Sequence, residues 1–250
     1  IADKVLIPEK HQKFYCENVI YLPRSYQPPG KNFDVKNQEV TRESLNLPKD
    51  SIILCAFHNS HKITPIEFDT WCRILKKIKN SVLWLFNTNA LACKNLKQAA
   101  LKNNLPNNRI IFCERTSYED YLGRLKLADI FLDTFNYGAG ATAGDALKVG
   151  LPIVTKTGKG YAARMAASLL CSFDLSFLVA KTENEYEKKV YELSQNKEKL
   201  GALRKLIRRR TSENTVEKYT KELELGYITA VERTKYTNNE GAIFVQNSSV

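Results

Sequence analysis

The chain lacks the closely spaced ligands that a structural zinc site needs. Its six cysteines (16, 55, 72, 93, 113, 171) form no CxxC pair, and it has only three histidines. It lacks an apolar run of about 18 residues, which excludes a membrane-spanning helix. The first residues, Ile1 to Pro8, do not read as a secretory leader: Asp3 and Lys4 interrupt them and no cleavage site follows. There is no initiator Met, so the expectation is that residue 1 lies inside a longer parent protein. Widely spaced cysteines suit a reducing, cytoplasmic setting. Cys55 and Cys113 fall in apolar, strand-like runs and read as small buried hydrophobes.

What is present is ordinary globular material. Hydrophobic residues make up 43% of the 250 and charged residues 26%, which excludes disorder and low complexity for the bulk of the chain. The length allows one large domain or two small ones. Lys and Arg number 38 against 27 Asp and Glu, a net charge of +11. Such a balance suits an anionic partner or simply a lysine-rich surface. The densest basic run, Arg204-Lys205 and Arg208-Arg209-Arg210, reads as part of a helix.

Three prolines and a glycine within residues 23–30 mark a linker. Before it, a strand, a helical stretch over Pro8–Asn18 and a second strand over 19–22 are expected. After it, strands and helices alternate. The run Ser51–Phe57 is continuously apolar, the mark of a strand buried on both faces. Thr64-Pro65-Ile66-Glu67 reads as an N-cap, a first-turn proline and a capping-box glutamate. Further strands are expected near 81–86, 109–112, 130–132, 152–155 and 177–179, with helices between. Gly150 closes a helix over about 142–149, and residues 183–235 read as helical. This alternation predicts an α/β fold: a Rossmann-like parallel sheet with helices on both faces, plus C-terminal helices.

In such sheets ligands bind outside the carboxyl ends of the strands. The loop Gly138-Ala139-Gly140-Ala141-Thr142-Ala143-Gly144 lies there, at a helix start that favours phosphate. Asp145 follows within reach of a ribose. The relaxed GxGxxG/A match is weak, since the acidic residue expected about 20 positions on is missing. The Walker pattern fails outright. A tight turn with close helix–sheet packing is the alternative. In the loop 57–65, Lys62 stands just before a helix start, where the dipole disfavours a cation, so an anionic partner suits it; a solvated lysine in a surface loop is the alternative. Tyr121 and Arg124 share a helix face near Thr116. Lys156-Thr157-Gly158-Lys159-Gly160 is either a second anion-holding turn or a flexible surface turn.

Several strings then occur together and in order: Asn80-Ser81-Val82-Leu83-Trp84-Leu85, Asn108-Arg109-Ile110-Ile111-Phe112, Leu127-Ala128-Asp129-Ile130-Phe131-Leu132-Asp133-Thr134, Gly150-Leu151-Pro152-Ile153-Val154-Thr155 and 162–170. With them the chain closely resembles, from residue 1 to about 230, the catalytic region of the O-GlcNAc transferase / SPINDLY family. The resemblance implies a GT-B glycosyltransferase that uses a nucleotide-sugar and no catalytic metal or other cofactor. It implies that residues 1–30 are the tail of the first lobe with the linker, 31–210 the nucleotide-sugar-binding lobe, and 211–250 the C-terminal helix and tail. It also implies that most of the first lobe and the tetratricopeptide repeats lie outside this chain, as does the family's acceptor-side histidine.

Residue by residue, the resemblance gives Lys62 the diphosphate and the leaving group, and Asn59 the Gln or Asn position of the same loop. Thr116 takes the position whose backbone meets the base, Tyr121 that of a base-stacking histidine, and Arg124 that of a base-contacting arginine. Thr142 matches a phosphate-binding threonine and Asp145 the ribose-binding aspartate. The family often reads His-Thr-Thr where this chain has Gly140, Ala141 and Thr142, so two side-chain donors are gone. The expected function is transfer of GlcNAc from UDP-GlcNAc to Ser/Thr hydroxyls of a protein acceptor, with inversion. The alternatives are a related transferase (GDP-fucose, or glucose to Asn) or a non-catalytic nucleotide-binding fragment. Neither a nucleic-acid partner nor a membrane span is expected.

Overall fold

The computed structural model describes residues 1–28, 40–213, 215–236 and 241–246. The continuous apolar runs become the strands of one six-stranded parallel sheet: β2 (Ile52–Ala56), β3 (Ser81–Phe86), β4 (Ile110–Cys113), β5 (Ile130–Leu132), β6 (Ile153–Lys156) and β7 (Val179–Ala180). Their order is β4-β3-β2-β5-β6-β7, every pair parallel. β1 (Ile20–Tyr21) lies outside this sheet and pairs in parallel with β8 (Ile243–Phe244), a strand the sequence reading lacks.

Alternation along β2 explains why both faces are covered. Ile53 and Cys55 join one apolar layer with α3 (Tyr118–Leu127), α4 (Ala141–Lys148), α5 (Met165–Ser172) and α7 (Lys197–Glu213). Ile52, Leu54 and Ala56 join the other, with α1 (Pro65–Lys77), α2 (Ala90–Lys102) and α6 (Glu183–Ser194). Trp71 and Trp84 are fully buried, one in each layer.

Two local readings need correction. The expected helix over 8–18 is a six-residue 3-10 turn, Glu9–Phe14, and the first strand is a single bridge from Ala2 to Tyr21. The capping box of α1 does not close either. Pro65 opens the helix, but the Thr64 side chain caps no amide. Its hydroxyl donates to Glu67, which is fully buried and accepts the Phe135 amide at 2.9 Å. At Gly150 the expectation holds. Its φ is +76°, and Gly150 and Leu151 return amides to Leu147 and Ala146.

The N-terminal segment is locked to the sheet domain through Asp3. This buried carboxylate accepts the amides of Val5 and Leu6 at 2.9 Å, that of Tyr26 at 3.0 Å and the hydroxyl of Ser168 on α5. α8 (Val216–Tyr236) packs back on β1 and β8, with Glu222 paired to Arg24 at 3.0 Å and Tyr219 donating to the Tyr26 carbonyl. The expected boundary between residues 30 and 31 lies outside the described residues, and α7 runs past the expected boundary at 210. The basic run is partly absorbed by structure. Arg204 donates to the carbonyls of Ala128 and Lys126, and Arg210 to those of Phe173 and Asp174. All six cysteines are free, and among the described residues no helix is long and apolar enough to cross a membrane.

Candidate functional site

Within the six-stranded sheet the order reverses between β2 and β5. β2 connects outward through β3 to β4, and β5 outward through β6 to β7. The loops leaving these two neighbours diverge, so a crevice opens between them at their carboxyl ends. The loop after β2 carries Asn59 and Lys62, and the loop after β5 carries the glycine-rich segment into α4.

Lys62 ends a 3-10 turn, Ser60–Lys62. Its Nζ stands 3.8 Å from the centroid of the Tyr137 ring and 3.5 Å from the Gly138 carbonyl oxygen, so the side chain spans the crevice. Partial burial lowers its pKa, and the Asp133 carboxylate opposes that. A lysine held by a ring face and one long carbonyl contact keeps donors for an anion. Asn59 is exposed, and its Oδ1 accepts from Arg115, a cation that carried no signal in the sequence.

Gly140 is the N-cap of α4 and Thr142 lies in its first turn. The first amides of a helix have no intrahelical acceptor and carry the positive end of its dipole. The space a side chain at 140 would fill is taken by Met165 and by the Tyr26 hydroxyl, which lies 3.3 Å from an ideal Cβ. Asp145, one turn on, accepts the Tyr118 hydroxyl at 2.6 Å. Burial raises the Asp145 pKa while the Tyr118 hydrogen bond pulls it back.

Ser117 caps α3, accepting the Asp120 amide, and Thr116 donates to the Asp120 carboxylate at 3.0 Å. Tyr121 points largely inward. Its ring packs against Phe57 and Phe86, and its hydroxyl is buried with no partner. The exposed aromatic of this face is Tyr118, which the sequence reading assigned no role. Arg124 donates to the Glu114 carbonyl. The structure thus brings Lys62 to the glycine-rich loop and joins α3 to Asp145. It leaves Thr116 and Arg124 on the α3 side.

Beneath the loop lie two buried titratable groups. Asp133 follows β5 and is fully buried, which raises its pKa to about 6. His58 is 3.6 Å away and held neutral by burial, its pKa lowered to about 3. The Lys156–Gly160 turn is tied to its neighbours, with the Thr157 and Gly158 amides donating to the Ala180 and Ala163 carbonyls, and Lys156 sits over the Phe135 ring. Among the described residues, no group of three or more His, Cys, Asp or Glu side chains could hold a metal ion.

Comparison with known proteins bears on the family and the fold. Residues 29–223 match the family model described as glycosyl transferase family 41. The chain is 32% identical over 214 residues to an Arabidopsis thaliana protein named probable UDP-N-acetylglucosamine–peptide N-acetylglucosaminyltransferase SEC, covering 83% of this chain and 22% of that one. It is 33% identical over 180 residues to a Hordeum vulgare protein of the same activity name, SPINDLY, covering 69% and 19%. Among solved structures it superposes on an O-GlcNAc transferase variant from Thermobaculum terrenum with a TM-score of 0.80 at 26% identity, over 90% of this chain and 43% of that one. The chain therefore spans about a fifth of the length of these two plant relatives.

Proposed function

The chain belongs to glycosyl transferase family 41, and on that premise we propose that it is the donor-binding lobe of a protein O-linked N-acetylglucosaminyltransferase. The observation that carries the reading is the placement of Lys62 across the crevice from the α4 N-terminus, 3.5 Å from the Gly138 carbonyl. Lys62 from one loop and the amides of Gly140, Ala141 and Thr142 from the other would together meet the charge of a diphosphate.

In the reaction proposed, an acceptor Ser/Thr oxygen attacks the anomeric carbon of UDP-GlcNAc and the bond to the diphosphate breaks with inversion. Negative charge then grows on the diphosphate. Lys62 and the α4 amides stabilise that charge, the preorganised electrostatic assistance that a metal supplies in other enzymes. Asp145 takes the ribose hydroxyls. Thr116 and Arg124 would border the base, with Tyr118 offering an exposed ring. Asn59, fixed by Arg115, borders the sugar side.

The parent protein would supply the rest of the first lobe, the general base, tetratricopeptide repeats and the acceptor site, working in the cytoplasm. Replacing Lys62 by Ala in that parent should abolish transfer while leaving the fold intact. Unchanged turnover would remove Lys62 from the mechanism. Competition between UDP and GDP for the site separates this reading from a GDP-sugar transferase.

A further inference from the structure

Four amides of the segment leading into α4 are already taken up by acceptors. Thr134 and Ala139 donate to Oδ1 of Asp133, at 2.9 and 2.8 Å. Phe135 donates to Oε1 of Glu67 at 2.9 Å, and Gly138 to the Ala162 carbonyl at 2.9 Å. The remaining carboxylate oxygens are also engaged. Thr155 donates to Oδ2 of Asp133 at 2.7 Å, and Thr64 donates to Glu67. Both carboxylates are fully buried. Burying such a group is costly unless hydrogen bonds meet its charge, and here backbone amides of one loop do so. The amides that come next, those of Gly140, Ala141 and Thr142, have no acceptor inside the helix.

We propose that Asp133 and Glu67 are positioning residues of the donor site: by holding the amides of Thr134, Phe135 and Ala139, they fix where the Gly140–Thr142 amides point. The proposal rests on the donor reading above. Neither carboxylate touches the ligand; each acts through the loop. The same hold reaches Lys62, because the loop is pressed onto Asp133 at Gly138. A Cβ there would stand 3.0 Å from Oδ2 of Asp133 and 3.2 Å from the Ala162 carbonyl oxygen. The Gly138 carbonyl, so fixed, is the one that faces Lys62.

The chemistry of an amide substitution separates this role from a general need for charge. In Asp133→Asn the amide oxygen can take both backbone N–H groups while its NH2 donates to Thr155. In Glu67→Gln the oxygen takes Phe135 and the NH2 faces the Thr64 hydroxyl. Alanine at either position leaves the amides unmet.

The test is titration of UDP into the chain and four variants, Asp133→Asn, Asp133→Ala, Glu67→Gln and Glu67→Ala, with hydrogen exchange followed over residues 134–142. The alanine variants should weaken UDP by about tenfold or more and raise exchange in that segment, as expected when buried donors lose their acceptors. The Asn and Gln variants should stay within about threefold of the parent chain, on the same reasoning. A merely structural role would lower the melting temperature alike in Ala and amide variants and leave UDP affinity unmoved. If the alanine variants do not fold, Gly138→Ala and Thr155→Val disturb the same contacts and should weaken UDP in their place. Alanine variants that bind UDP normally with unchanged exchange would overturn the proposal, as would Asn and Gln variants as impaired as Ala. Failure of the unaltered chain to bind UDP would overturn the donor reading instead, and the exchange comparison would still decide whether the carboxylates hold the loop.

Discussion

The Tyr118 hydroxyl donates to Oδ1 of Asp145 at 2.6 Å, tying the start of α3 to the second turn of α4. The bond orients the carboxylate assigned to the ribose and opposes the upward shift that burial gives its pKa. Asp145→Ala removes the ribose acceptor and should weaken UDP by about 10- to 100-fold, the range for a charge-assisted hydrogen bond. Tyr118→Phe removes only the orienting hydroxyl and should cost less than about tenfold. Isothermal titration of both variants checks the ranking, and a larger loss in Tyr118→Phe would reverse the assignment.

Asp3 gathers four donors from the N-terminal segment, the linker and α5. Its replacement by Ala leaves buried amides without an acceptor and should cost about 3 kcal/mol or more. Ser168→Ala removes one donor and should cost about 1 kcal/mol. Urea unfolding with an unchanged slope measures both. Equal effects would mean that the Asp3 cluster does not hold the junction.

His58 and Asp133 should give opposite pH signatures. The unfolded histidine takes up a proton near pH 6.5, whereas folded His58 resists until about 3. Stability is therefore lost as pH falls below 6.5, by up to about 1.4 kcal/mol per unit. Folded Asp133 binds its proton near pH 6 against an ordinary value of 3.8, so its burial penalises the fold above 6 and is relieved on acidification toward 4. His58→Gln should lose less stability than the parent chain between pH 6.5 and 5, and Asp133→Asn should lose more. Parallel stability–pH curves for all three would contradict both assignments.

Gly140 stands where the sequence resemblance leads one to expect histidine, and Met165 and Tyr26 occupy the space around it. Restoring the side chain with Gly140→His should overpack the junction and cost about 1–3 kcal/mol without tightening UDP binding. Gly140→Ala, which meets the flexible end of Met165, should cost less. Thermal melts of the two variants decide this, and a stabilised Gly140→His would show that the linker yields.

The sheet was legible because β2, β3 and β5 are short continuous apolar runs buried on both faces, and such runs have few alternatives. Gly150 was legible because only a left-handed residue closes α4 as it does. β8 was not, since Ile243–Phe244 gains its meaning from pairing with β1, more than 220 positions earlier in the chain. Glu67 misled for a related reason. Its spacing from Thr64 suits a local cap, and only the tertiary approach of Phe135 turns it inward. At the site, Lys62 and Asp145 carried signals of loop position and family resemblance. Tyr118 and Arg115 did not, and Asp133 stood only as one letter of a resemblance string, because their roles depend on contacts between segments far apart in the chain.

The central claim is that the crevice between β2 and β5 holds a nucleoside diphosphate. The direct measurement is calorimetric titration of UDP, with GDP as control and no metal added, into the chain and into Lys62→Ala. The account requires that UDP binds in preference to GDP and that Lys62→Ala weakens it by about tenfold or more, the cost of losing one charged phosphate contact. UDP binding that is indifferent to Lys62→Ala, or no UDP binding by the parent chain, would contradict it.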